Sequence, residues 1–292
     1  MNLLEDCDFP KPGTSVDLAV SGGPDSLGLL VLALDRGLRV TVHHVDHHVR
    51  LTSTEDAQFV VEVAERFAVP CLVHDVFFTG VEGNFEARAR AARRRVLPAG
   101  ALTGHTMDDL AETVLLNVMR GGGLEGLSPM VGDATKPLRN VRRRDLHYLV
   151  ADSGLEPRYD ETNDSSAHRR NRVRHELLPI MNDVAERDVV PLLARQARVL
   201  FEDRSWLDEL ARADVDLALG DANCRELVTW PSARLTRWLR VRLATRTEHD
   251  ETYPPSADEV ARALSVVRGE AVACELSGGR RLSRRAQRLT LE

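Results

Sequence analysis

The feature that most constrains this chain is a six-residue segment, Ser21-Gly22-Gly23-Pro24-Asp25-Ser26, set between the apolar run Val16–Val20 and a second apolar run, Leu27–Leu34. A short apolar run ending in a glycine turn reads as a buried strand, and the stretch that leaves the turn reads as a helix. Strand, glycine turn and helix N-terminus together make an anion cradle. The glycines let the backbone approach a phosphate, and the free N–H groups of the first helical turn point at it with the helix dipole behind them. Ser21 and Ser26 can add hydroxyl donors. Asp25 is out of place in a purely anionic site, because a carboxylate repels phosphate, and Mg²⁺ (Mg2+) bridging the two removes the conflict. The segment lacks the lysine of the GxxxxGK[ST] loop, so it is a different kind of phosphate site. An ordinary turn capped by Asp25 or Ser26 leaves the strand–loop–helix context unexplained.

Downstream the pattern alternates. Arg39–Asp46 is rich in β-branched residues and reads as a strand; Thr54–Phe67 has helical spacing at Phe59, Val63 and Phe67, with Pro70 after it. Cys71–Val76 reads as a third strand, Asn84–Leu97 as a helix, Leu102–Gly104 as a brief apolar run, and Thr106–Met119 as another helix. This alternation predicts an α/β fold, a parallel twisted sheet with helices on both faces, of Rossmann-like kind. Beyond Gly121 helices are expected at Arg142–Ser153, Arg170–Met181 and Val189–Leu219, with a turn at Asn163–Ser166. Further helices at Pro231–Thr245 and Ser256–Arg268 and a closing strand pair form a small, mostly helical C-terminal domain. The expected division is 1–188 for the catalytic domain, 189–214 for a linker helix and 215–292 for the small domain.

Composition narrows the class. Of 292 residues, 43% are hydrophobic, enough for a core, yet the longest apolar run is far short of a membrane helix. The opening MNLLEDCDFP has no basic region before an apolar stretch, so it does not read as a signal peptide, and a cytoplasmic protein without membrane partners is expected. The four cysteines, Cys7, Cys71, Cys224 and Cys274, form no C-x-x-C pair, which argues against a zinc knuckle or a redox pair. A net charge of −6 does not mark the whole chain as a nucleic-acid binder, but positive charge clusters at Lys136–Arg144, Arg169–His175 and Arg280–Arg288.

Three local patterns could carry chemistry. His105, Asp108, Asp109 and Glu112 are spaced to share one stripe of a helix. Without cations beside them, three carboxylates repel one another, and Mg²⁺ or a substrate ammonium such as that of lysine would relieve this; a solvated polar face is the plain alternative. The segment His43-His44-Val45-Asp46-His47-His48-Val49-Arg50 looks like a metal site, but neighbours on a strand point to opposite faces and cannot share one ion. Arg170, Asn171, Arg172 and Arg174 form the best local nucleic-acid signal, because arginine pairs with phosphates and stacks on splayed bases. The alternative is a charged helix surface paired with Glu176 and Asp183.

The SGGPDS loop resembles that of the PP-loop family, enzymes that cleave ATP between its α and β phosphates, adenylate a carbonyl oxygen and release pyrophosphate. HHVDHHVR, NFEARAR, GHTMDDLAET, LLNVMRGGGLEGLSPM, KPLRNVRR, YDETNDSS and RRNRVRHELLP follow in order, and from about Val16 to Pro179 the set resembles the tRNA(Ile)-lysidine synthetase family. The family motif HVDHGLR has glycine where His48 stands. The resemblance implies an AMP-forming ligase that joins L-lysine to C2 of the wobble cytidine of tRNA(Ile) with a CAU anticodon, through an adenylated cytidine. It implies that Ser21, Gly22, Gly23, Pro24, Asp25 and Ser26 cradle the ATP phosphates. Asp25 and Asp109 would hold Mg²⁺ or orient lysine, and His105, Asp108 and Glu112 would complete the pocket. A carboxylate or histidine there would accept the proton of the lysine amine. The small C-terminal domain is read as tRNA-binding, and a homodimer is compatible. Three competitors are a PP-loop tRNA thiolase, for which the scattered cysteines are a poor fit; a small-molecule amide ligase, which gives no reason for RRNRVRHELLP; and an inactive RNA-binding module, against which the intact loop speaks.

Overall fold

A computed structural model of the chain describes residues 3–48, 53–77, 88, 92–93, 95–158, 169–213, 223–246 and 252–292. It divides into two compact units, Met1–Phe201 and Glu202–Glu292. In the first unit, β1 (Ser15–Ala19) leads through the glycine loop into α1 (Pro24–Asp35), followed by β2 (Arg39–Asp46), α2 (Ser53–Arg66) and β3 (Cys71–Asp75). Next come β4 (Leu102–Thr103), α3 (Met107–Val118), the single turn α4 (Leu124–Leu127) and α5 (Arg143–Asp152). α6 (Arg169–Arg172) runs through a π-helical stretch, Val173–Leu177, into α7 (Leu178–Ala185), and α8 spans Val190–Ala213, its residues from Glu202 on belonging to the second unit. The helix expected at Asn84–Leu97 falls largely outside the described residues, and the turn at Asn163–Ser166 wholly so.

The four strands form one parallel sheet in the order β3-β2-β1-β4, with Val16 opposite Val40 and Leu18 opposite Leu102. The chain therefore steps outward from β1 to β3 and then returns to the other side of β1. The crevice at such a reversal, at the carboxyl ends of the strands, is where open α/β sheets bind ligands. Here it lies between the ends of β1 and β4. α1 is buried on all sides from Ser26 to Ala33, as expected of a helix that is apolar all round. It lies against β1 and β2 and is also packed by α5.

One predicted helix is irregular. The stretch expected at Arg170–Met181 breaks into α6, the π-helical Val173–Leu177 and α7. Pro179 sits in the first turn of α7, and a proline has no N–H to give to a carbonyl one turn back. A π-helical insertion absorbs that mismatch and changes the phase of the side chains before it.

The second unit contains the single turn α9 (Cys224–Leu227), α10 (Ser232–Leu243), a two-residue strand pair β5 (Thr245–Arg246) and β6 (Thr252–Tyr253), and α11 (Ala257–Arg268). It closes with the antiparallel sheet β7 (Ala273–Glu275), β8 (Arg281–Arg285) and β9 (Arg288–Leu291). The expected strand pair is present, with β7 added as a third strand. Ala286 and Gln287 link β8 to β9 with φ of 49° and 68°, the double left-handed backbone of a tight hairpin turn. Trp238, Leu239, Val266, Leu282 and Leu289 meet in its core. α11 starts with a reciprocal cap: Glu259 N–H donates to Ser256 Oγ, and Ser256 N–H donates to Glu259 Oε2 at 2.8 Å. The other Glu259 oxygen accepts from Ser277, from its N–H at 2.6 Å and from its hydroxyl. These donors, Ser277 foremost, hold the Glu259 carboxyl down at about 2.

Two outcomes follow. Ionised Glu259 stabilises the second unit above pH 4.5, and that contribution is lost as the pH falls toward 2. Glu259→Ala should cost about 2 kcal/mol and remove this acid dependence. Tryptophan fluorescence reads that unit alone, since Trp206, Trp230 and Trp238 all lie within it. In the first unit, a Cβ on Gly104 would stand 2.6 Å from the carbonyl oxygen of Asp25. Gly104→Ala should therefore destabilise the fold by about 1–3 kcal/mol, and calorimetry checks it.

Candidate active site

The glycine loop is held in shape by its own hydrogen bonds. Gly22 has φ of 87°, a left-handed backbone that glycine adopts without cost, and Gly23 caps α1 in extended conformation. Ser26 Oγ donates to the Gly23 carbonyl at 2.9 Å and accepts from Ser21 N–H at 3.1 Å. With its proton committed there, the 3.2 Å contact between the two serine hydroxyls has Ser21 as donor. His44 Nδ1 holds the Val20 carbonyl at 2.9 Å just before the loop, and Arg158 N–H holds the Gly22 carbonyl at 2.9 Å. Asp25 lies in the first turn of α1, beside Gly104 at the end of β4.

The carboxylates of α3 face this loop, but not as the spacing alone predicted. His105 is not on the helix. Thr106 is the N-cap, in extended backbone with φ of −98°, so α3 begins at Met107 and His105 stays in the strand–helix turn, 2.8 Å from Thr103 Oγ1. Asp109 closes the capping box: its Oδ2 accepts from Thr106 N–H at 2.8 Å and from Thr106 Oγ1 at 2.9 Å. Asp108 caps a different helix, accepting from Arg143 N–H at the start of α5 at 2.7 Å and from the Arg142 guanidinium at 3.2 and 3.1 Å.

Nor is the stripe without cations, as its sequence suggested. Arg143 reaches over from α5 and spends each donor nitrogen on a separate carboxylate: Nε on Asp25 at 3.2 Å, Nη2 on Asp109 at 2.8 Å, and Nη1 on Glu112 at 3.0 Å. Glu112 is 0% exposed. It also accepts from Arg174 at 2.7 and 3.2 Å and from Arg170 at 3.0 Å. A carboxylate buried this deeply is tolerated because three guanidiniums satisfy its lone pairs. Burial works against the Arg143 charge, and Asp109, Glu112 and Asp25 outweigh it, so its pKa rises above the usual arginine value. Burial likewise opposes ionisation of Asp109, but Arg143 foremost, with His105, Thr106 and Arg170, holds its carboxyl below the usual range. Asp109 is thus an anion at neutral pH. Its contribution to stability is present above the ordinary carboxylate range and is lost as the pH falls below that range.

The basic segment divides. Arg170 and Arg174 turn inward onto Glu112, and Asn171 is buried at 8% exposure. Arg172 points to solvent and pairs with Glu176 at 2.8 Å, one of the two partners expected of a charged surface. Two residues at the site were not singled out from the sequence. One is Arg143; the other is His147, whose Nε2 lies 2.9 Å from Asp25 Oδ1. The Lys136–Arg144 charge cluster was the available signal for Arg143. By itself it reads as local positive charge suited to nucleic acid, because sequence does not show which arginines face inward.

The histidine-rich strand end separates as the pleat requires. His43, buried, lies between Asp17 and His74, each at 2.9 Å, whereas His44 holds the Val20 carbonyl. His48 has φ of 49° and contacts Asp75 at 2.8 Å. That left-handed backbone gives a physical reason for the glycine found at this place in HVDHGLR.

A family model described as a PP-loop domain matches residues 2–181. The tRNA(Ile)-lysidine synthase of Nocardia farcinica (strain IFM 10152) is 38% identical over 245 residues, covering 80% of this chain and 76% of that protein. That of Thermobifida fusca (strain YX) is 36% identical over 251 residues, covering 80% and 77%. Among solved structures, the U34-tRNA thiolase NcsA from Methanococcus maripaludis superposes with a TM-score of 0.56 at 18% identity, over 68% of this chain and 78% of that one. That likeness is one of fold.

Removing the charge of Glu112 leaves three guanidiniums without their shared anion. Glu112→Gln should destabilise the first unit by about 3 kcal/mol. Arg172→Ala, which breaks only an exposed pair, should leave stability nearly unchanged. Calorimetric unfolding of the two variants tests the contrast.

Proposed function

The chain belongs to the PP-loop family and, within it, to the tRNA(Ile)-lysidine synthases, and on that premise we propose that it ligates L-lysine to C2 of the wobble cytidine of tRNA(Ile) bearing a CAU anticodon. ATP adenylates the cytidine C2 oxygen, pyrophosphate leaves, and the lysine amine displaces AMP. The single observation that carries this reading is the meeting of two opposed devices in one crevice. The Ser21–Ser26 loop is built for the triphosphate, and Asp25, Asp109 and Glu112, bridged by one guanidinium, are built for a cation.

In this reading Ser21, Gly22, Gly23, Pro24 and Ser26 hold the ATP phosphates through N–H groups and hydroxyls. Asp25 suits Mg²⁺: it presents hard carboxylate oxygens beside the loop, and Arg143 and His147 already bring donors to them. When bound there, Mg²⁺ neutralises charge on the departing pyrophosphate. Asp109 and Glu112 orient the lysine ammonium, and Asp108 fixes the start of α5 so that Arg143 is aimed correctly. His105 and His147 border the carboxylates and are the titratable groups suited to take the amine proton. Arg172 is the arginine of its segment placed to meet tRNA from solvent, while Arg170, Asn171 and Arg174 support the pocket wall behind it. Residues 215–292 would add further tRNA contacts, a homodimer is compatible, and a cytoplasmic site of action suits a tRNA substrate. No described helix is long and apolar enough to cross a membrane.

The test is incorporation of labelled L-lysine into transcribed tRNA(Ile) with a CAU anticodon, with tRNA(Met) as control. ATP-dependent label in the first RNA alone is the expected result. Pyrophosphate release without label would point to another nucleophile, and neither product would leave a binding module.

A further inference from the structure

The glycine loop contains no lysine or arginine, yet it must receive a triphosphate. Arg143 touches the loop through Asp25 at 3.2 Å, and that same guanidinium lies between Asp109 and Glu112. One cation therefore stands within reach both of the place of the phosphates and of the carboxylates.

We propose that Arg143 is a catalytic residue that changes partners. It lies on Asp109 and Glu112 as the structure shows it, and when ATP binds it moves to the triphosphate, opening those carboxylates to the ammonium of lysine. The proposal rests on the ATP-and-lysine reading above and adds an order of binding to it.

Three features support an exchange over a fixed ion cluster. First, each carboxylate that Arg143 holds has other partners. Glu112 keeps Arg170 and Arg174, and Asp109 keeps Thr106 on Oδ2, so its departure orphans neither. Second, the backbone of Arg143 is pinned. Its N–H is held by Asp108 at 2.7 Å at the first position of α5, so the side chain can swing without moving the helix. Third, a guanidinium binds phosphate oxygens in the same forked geometry that it uses for carboxylates. Asp25, the carboxylate suited to the Mg²⁺ of an arriving triphosphate, would release Arg143, which removes one of the three contacts that hold it in place. What opens is Asp109 Oδ1 and one side of Glu112 Oε1, the two acceptors that Arg143 Nη2 and Nη1 occupied. A primary ammonium supplies three donors and suits this pair.

The consequence is positive coupling between nucleotide and lysine. It is measured by titrating L-lysine calorimetrically into the full chain, with and without Mg²⁺ and the non-cleavable analogue α,β-methylene-ATP. Lysine should bind about tenfold more tightly or better when the analogue is present. In Arg143→Met the analogue should bind about tenfold more weakly, and lysine affinity should be the same within about twofold in its presence and absence. Equal lysine affinity in both states of the wild type, no lysine binding in either, or coupling retained in Arg143→Met each overturns the proposal. Should that variant fail to fold, the wild-type comparison decides alone. Lysidine formation by the wild type without coupling would sink only the exchange, whereas no lysidine formation would remove the reading on which it rests.

Discussion

Glu112 carries a carboxylate with no access to solvent, and its surroundings are organised to make that burial tolerable. An isolated ionised carboxylate in such a place is too costly to persist, so cations must come to it. They come from three helical segments: Arg143 at the start of α5, Arg170 in α6 and Arg174 in the π-helical stretch that follows. Each must therefore be placed against α3. The break in the predicted helix at 170–181 takes on meaning in this light. The π-helical residues, needed because Pro179 cannot continue the regular hydrogen-bond ladder, lie where Arg174 turns onto Glu112.

The sheet supplies the frame. Because β4 lies on the far side of β1 from β2, the glycine loop after β1 and the turn before α3 flank one crevice. Gly104 lets the two come within van der Waals contact at Asp25, which brings the anion cradle against the carboxylate cluster. N–H donors line one side of that crevice and carboxylates the other, and Arg143 donates both to Asp25 beside the loop and to Asp109 and Glu112 on α3.

The second unit is built by different means. Its core is small, and single side chains do much of the ordering there: Glu259 closes the cap of α11 and also receives Ser277, tying the helix to the chain that enters β8. A buried Trp238 fills the middle.

Much of the first unit was legible in the sequence because its signals are local. The run VDLAV followed by SGGPDS can be read as strand, cradle and helix without knowing what lies elsewhere, and the caps of α3 and α5 fell at Thr106 and Arg142, within a residue of expectation. Ordered motifs over some 160 residues, Val16 to Pro179, identified the family for the same reason: each is a short stretch whose chemistry is complete in itself. What the sequence could not determine was the pairing of charge across distance. It showed three carboxylates at helical spacing and arginines 30 to 60 residues downstream, but offered nothing to say that Arg143, Arg170 and Arg174 turn inward on Glu112 while Arg172 stays in solvent. Coulomb attraction depends on separation in space, and only the tertiary fold, by packing α5 and α6 against α3, brings those charges within contact.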